Sequence, residues 1–130
     1  MERLEVVYLD THILVWLYDG RGDRLTKTAR RIIEKRRLLT SAATVYELEV
    51  LRESGRRRIP AMKLISALER DLGLEICNLP FRTIVDCALD EAWTRDPWDR
   101  LIVANAKAAG AQLITADEKI RKHYSRVVWD

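Results

Sequence analysis

Cysteine is scarce in this sequence, and the two cysteines present, Cys77 and Cys87, are too few for a disulfide framework. Histidine is equally scarce, with two residues in the chain, and neither residue type shows the spacing of a zinc site. The N-terminus lacks the basic and apolar segments of a secretion signal. No apolar run approaches the ~18 residues that a membrane-spanning helix needs. These absences exclude a membrane-spanning protein and predict a cytoplasmic one with free thiols.

Size and charge set broad limits on the function. The chain has 130 residues, which predicts a single domain over residues 1–130 with a substantial core. Basic residues number 23 and acidic residues 20, so the net charge is +3. That excess is compatible with a nucleic-acid partner but is weak evidence for one.

Short apolar runs rich in β-branched residues alternate with longer helical patterns. The alternation predicts an α/β fold, with a mostly parallel sheet covered by helices on both faces. In such sheets ligands bind outside the carboxyl ends of the strands. Strands are predicted at 6–10, 37–42, 74–80, 111–117 and 127–129, and helices at 13–19, 26–37, 44–54, 60–71, 81–93, 97–109 and 117–124.

Two aspartates, Asp10 and Asp117, each end a predicted strand and precede a predicted helix. Taken singly, each is best explained as an N-cap, because an Asp side chain accepts hydrogen bonds from the exposed N–H groups of a helix start. Their common position at strand ends nevertheless makes them candidates for a site.

Two further acids lie on apolar helix faces. On a helical wheel Glu47 shares the arc of Leu48 and Leu51, whereas Glu49 and Glu53 are predicted to face solvent. A carboxylate on a buried face is costly unless it pairs with a cation. An internal arginine and a bound metal ion are both open as that partner.

The stretch DPWDRLIVANAKAAG, residues 96–110, repeats this pattern. Asp96 and Pro97 form a typical helix start, as N-cap and first helical residue. Asp99 shares the inward arc with Ile102 and Ala106, which a capping role does not explain.

Four carboxylates that converge at one edge of a sheet repel one another, and a divalent cation relieves that repulsion. Oxygen ligands favour Mg²⁺ or Mn²⁺ over zinc. No Ser–His or Cys–His pair is evident, so the pattern indicates metal-assisted phosphoryl chemistry.

Four motifs, in this order and spacing, resemble the PIN-domain ribonucleases and most closely their VapC-type toxins: LDTHILVWL, SAATVYELEVL, RDPWDRLIVANA and LITAD. The resemblance extends over essentially the whole chain, including the final VVW. It implies a three-layer α/β/α sandwich and Mg²⁺- or Mn²⁺-dependent cleavage of single-stranded RNA.

The resemblance also implies roles for individual residues. It assigns catalysis and metal binding to Asp10, Glu47, Asp99 and Asp117. Thr115 and Ser41 stand where the family supports the acids, and Asp96 and Arg100 are further supporting candidates. Asp96 is interpreted mainly as the cap, and Arg100 could balance the acids or contact a phosphate.

Two positions depart from the family pattern or are ambiguous in it. His12 is interpreted as structural or as a support to the metal ligands, in preference to a ligand itself. Trp98 replaces the usual Phe, which suggests repacking beside unchanged acids.

Basic residues could supply the sequence-independent part of RNA binding, although plain solvation of charged helix faces is at least as good an explanation. The best candidates are Arg52, Arg56, Arg57 and Arg58, followed by Arg30, Arg31, Lys35, Arg36 and Arg37. The tryptophans are interpreted as core or interface residues rather than as platforms for stacked bases; they are Trp16, Trp93, Trp98 and Trp129.

The leading hypothesis is therefore the toxin of a toxin–antitoxin pair, with a cognate antitoxin protein, an RNA substrate and a homodimeric state implied by the resemblance. A PIN nuclease of RNA maturation without an antitoxin is the first alternative. A non-catalytic PIN module that binds RNA or protein is the second, and the presence of all four acids disfavours it. A receiver-type phosphotransfer domain is disfavoured because no middle strand ends in a phospho-acceptor Asp.

Overall fold

A five-stranded sheet with helices on both faces organises the chain in a computed structural model that describes residues 5–130. The strands are β1 (Val6–Leu9), β2 (Arg37–Thr40), β3 (Glu75–Ile76), β4 (Gln112–Ile114) and β5 (Val127–Val128). The helices are α1 (Thr11–Tyr18), α2 (Lys27–Lys35), α3 (Ala42–Glu53), α4 (Ala61–Leu72), α5 (Phe81–Ala88), α6 (Pro97–Ala108) and α7 (Glu118–His123), with a 3₁₀ turn at Gly22–Arg24.

All the strand pairs in residues 5–130 are parallel, and the strand order is β3-β2-β1-β4-β5. The predicted α/β fold is therefore confirmed. Because β2, β1 and β4 are neighbours, their carboxyl ends meet at one edge of the sheet. The residues that follow them, Ser41, Asp10 and Thr115, lie at that edge, which we call the carboxyl edge.

The two faces of the sheet carry separate apolar clusters. Val7 and Leu9 of β1 pack on the α1, α3 and α4 side, whereas Tyr8 packs on the α6 and α7 side with Ile102 and Ile120. Each fully buried aliphatic side chain stabilises the fold by about 1.5–3 kcal/mol. The helices that carry Glu47 and Asp99 thus approach the carboxyl edge from opposite faces.

Several predicted boundaries were wrong. The helix predicted at 81–93 ends at Ala88, and residues 89–96 form an irregular segment that we call the α5–α6 connection. The strand predicted at 74–80 shrinks to Glu75–Ile76. The strands predicted at 37–42 and 111–117 stop at Thr40 and Ile114, because the polar residues that follow begin the site described below.

No helix within residues 5–130 is both long and apolar enough to cross a lipid bilayer.

Candidate active site at the carboxyl edge

Asp10 is buried at the centre of the carboxyl edge, with 6% of its surface exposed. One carboxylate oxygen accepts the backbone N–H of Thr11 over 2.7 Å, and the other accepts the Thr115 hydroxyl over 2.6 Å. Burial raises the pKa of Asp10, and these two donors act against that rise. Asp10 is thus a fixed carboxylate held between β1 and β4.

Glu47 reaches the same edge from α3 and is half-buried. Its carboxylate accepts the Thr11 hydroxyl over 2.5 Å, and that hydroxyl lies 3.4 Å from the hydroxyl of Thr44. Burial raises the pKa of Glu47, and the charge of Asp10 raises it further. No arginine within residues 5–130 forms an ion pair with Glu47, so the arginine alternative has no support.

Asp99 lies half-buried on the first turn of α6, where the helical wheel placed it. Burial raises its pKa to about 7, and the neighbouring carboxylates of Asp96, Asp117, Asp10 and Glu47 add to the rise. An acid that responds to four others in this way lies within their electrostatic reach. The structure therefore brings the four predicted acids into one electrostatic cluster.

Asp117 and Asp96 occupy exposed helix starts beside that cluster. Asp117 accepts the N–H of Ile120 over 2.9 Å and caps α7, and Asp96 accepts the N–H groups of Trp98 and Asp99 and caps α6. The cap explanation of these aspartates therefore holds, and it coexists with their place at the cluster.

The donor set suits a hard divalent cation, since it consists of carboxylate and hydroxyl oxygens. No three acidic, histidine or cysteine side chains among residues 5–130 stand close enough to form a ready set of metal ligands. Two of the acids instead accept hydrogen bonds from neighbouring hydroxyl groups, Glu47 from Thr11 and Asp10 from Thr115. Burial and, to a smaller extent, repulsion by the other carboxylates raise the pKa of Asp99 to about 7. The acids fit a cation that supplies the missing positive charge.

The remaining supporting candidates differ in position. Thr115 contacts Asp10 as described, whereas the Ser41 hydroxyl oxygen accepts the N–H of Ala43 over 3.1 Å and caps α3. Arg100 points away from the acids, because its guanidinium donates to the Ala88 carbonyl over 2.9 Å. Ser41 therefore acts on the helix that carries Glu47 rather than on an acid, and Arg100 closes the end of α5.

His12 and Trp98 lie next to the cluster in the sequence. His12 is exposed, and its charge lowers the pKa of both Asp10 and Glu47. Trp98 meets Tyr46 edge to face, with ring centroids 5.3 Å apart. Trp98 thus joins α6 to α3, in agreement with the packing role inferred from the sequence.

The arginines predicted to bind RNA are not brought to the acids. Arg57 pairs with Asp19 at the far end of α1, with 3.1 Å between Nη1 and Oδ2. Arg52 pairs with Glu49 on its own helix. Arg56 and Arg58 follow the C-terminal end of α3 and are exposed. In a parallel α/β fold that end points away from the carboxyl ends of the strands.

The second group of basic residues is also remote from the acids. Arg36 and Arg37 stand at the start of β2, the edge opposite the acids, and pair with Glu5 and Glu75. Arg30, Arg31 and Lys35 are exposed on α2.

Comparison with known proteins identifies this arrangement. The family model described as the PIN domain matches residues 7–125. Ribonuclease VapC22 of Mycobacterium tuberculosis is 31% identical over 126 residues, which cover 92% of this chain and 93% of that protein. This chain is a PIN-domain protein of the VapC ribonuclease type.

Solved structures agree with the PIN fold. A VapBC2 complex of Rickettsia felis bound to a promoter DNA fragment contains a chain with TM-score 0.68 and 16% identity, covering 96% of this chain and 99% of that chain. A VapBC-1 structure of nontypeable Haemophilus influenzae gives TM-score 0.67 at 21% identity and covers 96% of both chains. At these identities the likeness concerns the fold alone.

Sequence reasoning missed two residues that shape this PIN domain. Thr11 orients Glu47, and its position directly after the strand-ending Asp10 was an available signal. Glu49 was predicted to face solvent, yet its carboxylate accepts the N–H of Ala61 over 3.0 Å and fixes the start of α4. That contact joins residues 12 positions apart, and no local pattern predicts it.

Proposed function

We propose that this PIN domain, extending over residues 1–130, hydrolyses phosphodiester bonds of single-stranded RNA with Mg²⁺ or Mn²⁺. The observation that carries the proposal is the convergence of four acids at the carboxyl edge, with the pKa of Asp99 raised to about 7 by burial and by the other carboxylates. Asp10, Glu47, Asp99 and Asp117 would hold the cation.

When bound, the cation would polarise the phosphate, activate a water molecule and stabilise the leaving oxygen. The side chains of the protein prepare that chemistry. Asp10 is held by two donors, so its carboxylate keeps one orientation. Thr11 directs Glu47 toward the same edge. Asp99, with its pKa near neutrality, holds a proton in a substantial fraction of molecules at pH 7 and releases it when positive charge approaches.

The direct experiment is cleavage of an unstructured RNA by the purified protein in Mg²⁺, in Mn²⁺ and in EDTA. Asp99→Asn is expected to lose cleavage, whereas Asp71→Asn retains it, because Asp71 forms an exposed ion pair with Arg70 on α4. Cleavage that persists in EDTA, or in Asp99→Asn at the wild-type rate, would overturn the proposal.

A toxin role with an antitoxin partner belongs to the same proposal. Support comes from the likeness to a VapC ribonuclease and from the VapBC complexes among the matching structures. The antitoxin would place a basic side chain against the acids and suppress cleavage in the cytoplasm, where RNA is present. Growth arrest on expression, reversed by the product of an adjacent small gene, is the expected result. A maturation nuclease would show cleavage without such a gene.

A homodimer is also proposed, formed by the apolar groove between α3, α5 and α6. The groove is a cavity of about 400 Å³ whose lining is almost entirely apolar. Tyr46 and Phe81 on its rim are 65% and 67% exposed, and Met62 continues the strip beyond Tyr46. An exposed apolar strip suits burial against a second copy related by two-fold symmetry. Light scattering should give a dimer mass that falls to the monomer mass for Tyr46→Lys.

A further inference from the structure

Glu91 is a buried carboxylate that the proposed chemistry does not use. It lies in the α5–α6 connection and is 4% exposed. Its two oxygens accept Trp93 Nε1 over 2.5 Å and Lys107 Nζ over 3.0 Å. Because Lys107 belongs to the last turn of α6, the contact ties the connection to the end of the helix whose first turn carries Asp99. These partners offset the cost of burying the charge.

Trp93, which donates to Glu91, also contacts α7. Its ring stacks on His123, with centroids 4.8 Å apart and planes 5° from parallel. Trp93 also packs against the apolar cluster to which Ile102 of α6 and Ile120 of α7 belong. Trp93 therefore forms a wedge between the helix of Asp99 and the helix that Asp117 caps.

His123 completes the contact from the side of α7. It is the last residue of that six-residue helix, and its ring Nδ1 lies 2.9 Å from the carbonyl oxygen of Lys119. A carbonyl only accepts, so Nδ1 carries the proton there and the ring orientation is fixed. Ile120 and Tyr124 attach α7 to the core, and the Trp93 stack is its contact with the α5–α6 connection.

The same connection leads directly into the start of α6. The Thr94 hydroxyl accepts the N–H of Asp96, and Asp96 in turn caps the turn that carries Asp99. Trp93 is thus connected on one side to the start of α6, which carries Asp99, and on the other side to α7, which Asp117 caps. The stack of Trp93 on His123 limits how closely the connection and the end of α7 can approach, because two rings in van der Waals contact cannot move closer together.

We propose that Trp93, clamped by Glu91 and stacked on His123, is a positioning residue that sets the separation of the Asp99 and Asp117 carboxylates for binding of a divalent cation. The inference rests on the proposed metal-dependent function. It assigns Glu91, Trp93 and His123 to the site through the two helices that they brace.

The test measures Mn²⁺ affinity by the electron paramagnetic resonance signal of free Mn²⁺, together with thermal unfolding of the metal-free protein. His123→Ala removes the stack, and His123→Phe restores a stacked ring. We expect His123→Ala to weaken Mn²⁺ binding about ten-fold, at the lower end of the effect of groups that orient metal ligands. His123→Phe should bind Mn²⁺ within about two-fold of wild type. Because His123 is exposed, metal-free unfolding temperatures of both variants should match wild type.

Trp129→Leu is the matched control, because it removes a partly buried tryptophan that contacts Trp16 on the other apolar cluster. It should lower the unfolding temperature without changing Mn²⁺ affinity. Equal Mn²⁺ affinity in wild type and His123→Ala would overturn the inference and leave the ribonuclease proposal standing. A wild-type protein that neither binds Mn²⁺ nor cleaves RNA would overturn both.

Discussion

Thr11 donates its hydroxyl to the carboxylate of Glu47 over 2.5 Å, and this bond joins the first residue of α1 to the middle of α3. The residue directly after one acid therefore orients a second acid that stands 36 positions further along the chain. The bond also lowers the pKa of Glu47 against the effect of burial. Its removal should be visible in the pH dependence of catalysis.

Thr11→Val keeps the shape of this buried side chain and removes the donor. The pKa of Glu47 should then rise, because the bond that favours its charged form is lost. The acidic limb of the profile of kcat/KM against pH should move to higher pH, with a loss of about ten-fold on that limb, the equivalent of ~1.4 kcal/mol for a hydrogen bond to a charged group. Thr11→Ser should retain the wild-type limb. Equal limbs for Val and Ser would contradict the assigned role.

Asp99→Asn should make the metal-free protein more stable at alkaline pH. The folded pKa of Asp99 is about 7 against an ordinary value of 3.8, so the native state binds more protons than the unfolded state between these values. The free energy of unfolding of the wild type therefore falls as pH rises through that window. The variant escapes this loss, and we expect a gain of about 2 kcal/mol at pH 8 after allowance for solvent screening.

Urea unfolding in EDTA at pH 8 and pH 4 checks this expectation. The gain should be much smaller at pH 4, where Asp99 is protonated in the folded wild type and about half protonated in the unfolded chain. A variant less stable than wild type at pH 8 would show that the neighbouring carboxylates do not destabilise Asp99.

Divalent cations should stabilise the wild type more than variants that lack one of the proposed ligands. Mg²⁺ at 10 mM or Mn²⁺ at 1 mM (roughly ten times a millimolar or sub-millimolar dissociation constant) would raise the free energy of unfolding of wild type by about 1.4 kcal/mol. Asp99→Asn and Asp10→Asn should gain much less at the same concentrations. Differential scanning fluorimetry at pH 8 resolves this shift, and NaCl at equal ionic strength is the control.

RNA affinity should depend on basic residues that flank the acids, not on those after α3. Arg95 precedes Asp96, Lys119 lies in the first turn of α7, and both are exposed. Across the part of the chain that the structure describes, neither residue forms an ion pair. In an Asp99→Asn background, removal of both charges should reduce the slope of log K against log salt by about 1.4, or about 0.7 for each phosphate contact.

Arg126→Gln is the control for this measurement. Arg126 donates to the carbonyl of Gly110 at the amino edge of the sheet, opposite the acids. Its loss should leave the salt slope unchanged. If Arg56→Gln combined with Arg58→Gln reduced the salt slope more than removal of Arg95 and Lys119, the RNA would instead bind near the C-terminal end of α3.

The acids were predictable because each signal is local. The alternation of strands and helices predicts the positions of Asp10 and Asp117 at strand ends. Helical periodicity predicts the inward position of Asp99, because it shares a helix face with buried residues such as Val103. The α5–α6 connection was not predictable in this way. Glu91 and Trp93 continue a helical pattern, yet their partners stand 16 and 30 positions further along.

The arginines after α3 lie farther from the acids than their order in the sequence suggested. Arg57 follows the Glu47 helix in sequence, which suggested proximity to the acids. In a parallel sheet the helix after a strand runs back toward the amino edge, so residues beyond its end move away from a site at its beginning. The fold class alone is therefore sufficient to place these arginines away from the acids, and their contact with RNA stays a prediction.

Three helices, α1, α3 and α6, begin at the carboxyl edge, directly after Asp10, Ser41 and Asp96. Their positive N-terminal ends therefore face the carboxylates. The partial positive charges of these backbone N–H groups offset part of the repulsion between the carboxylates. The protein is thus expected to reach its native state before any ion arrives. The divalent cation would then bind reversibly, and the occupancy of the site would follow the free concentrations of Mg²⁺ and Mn²⁺ in the cell.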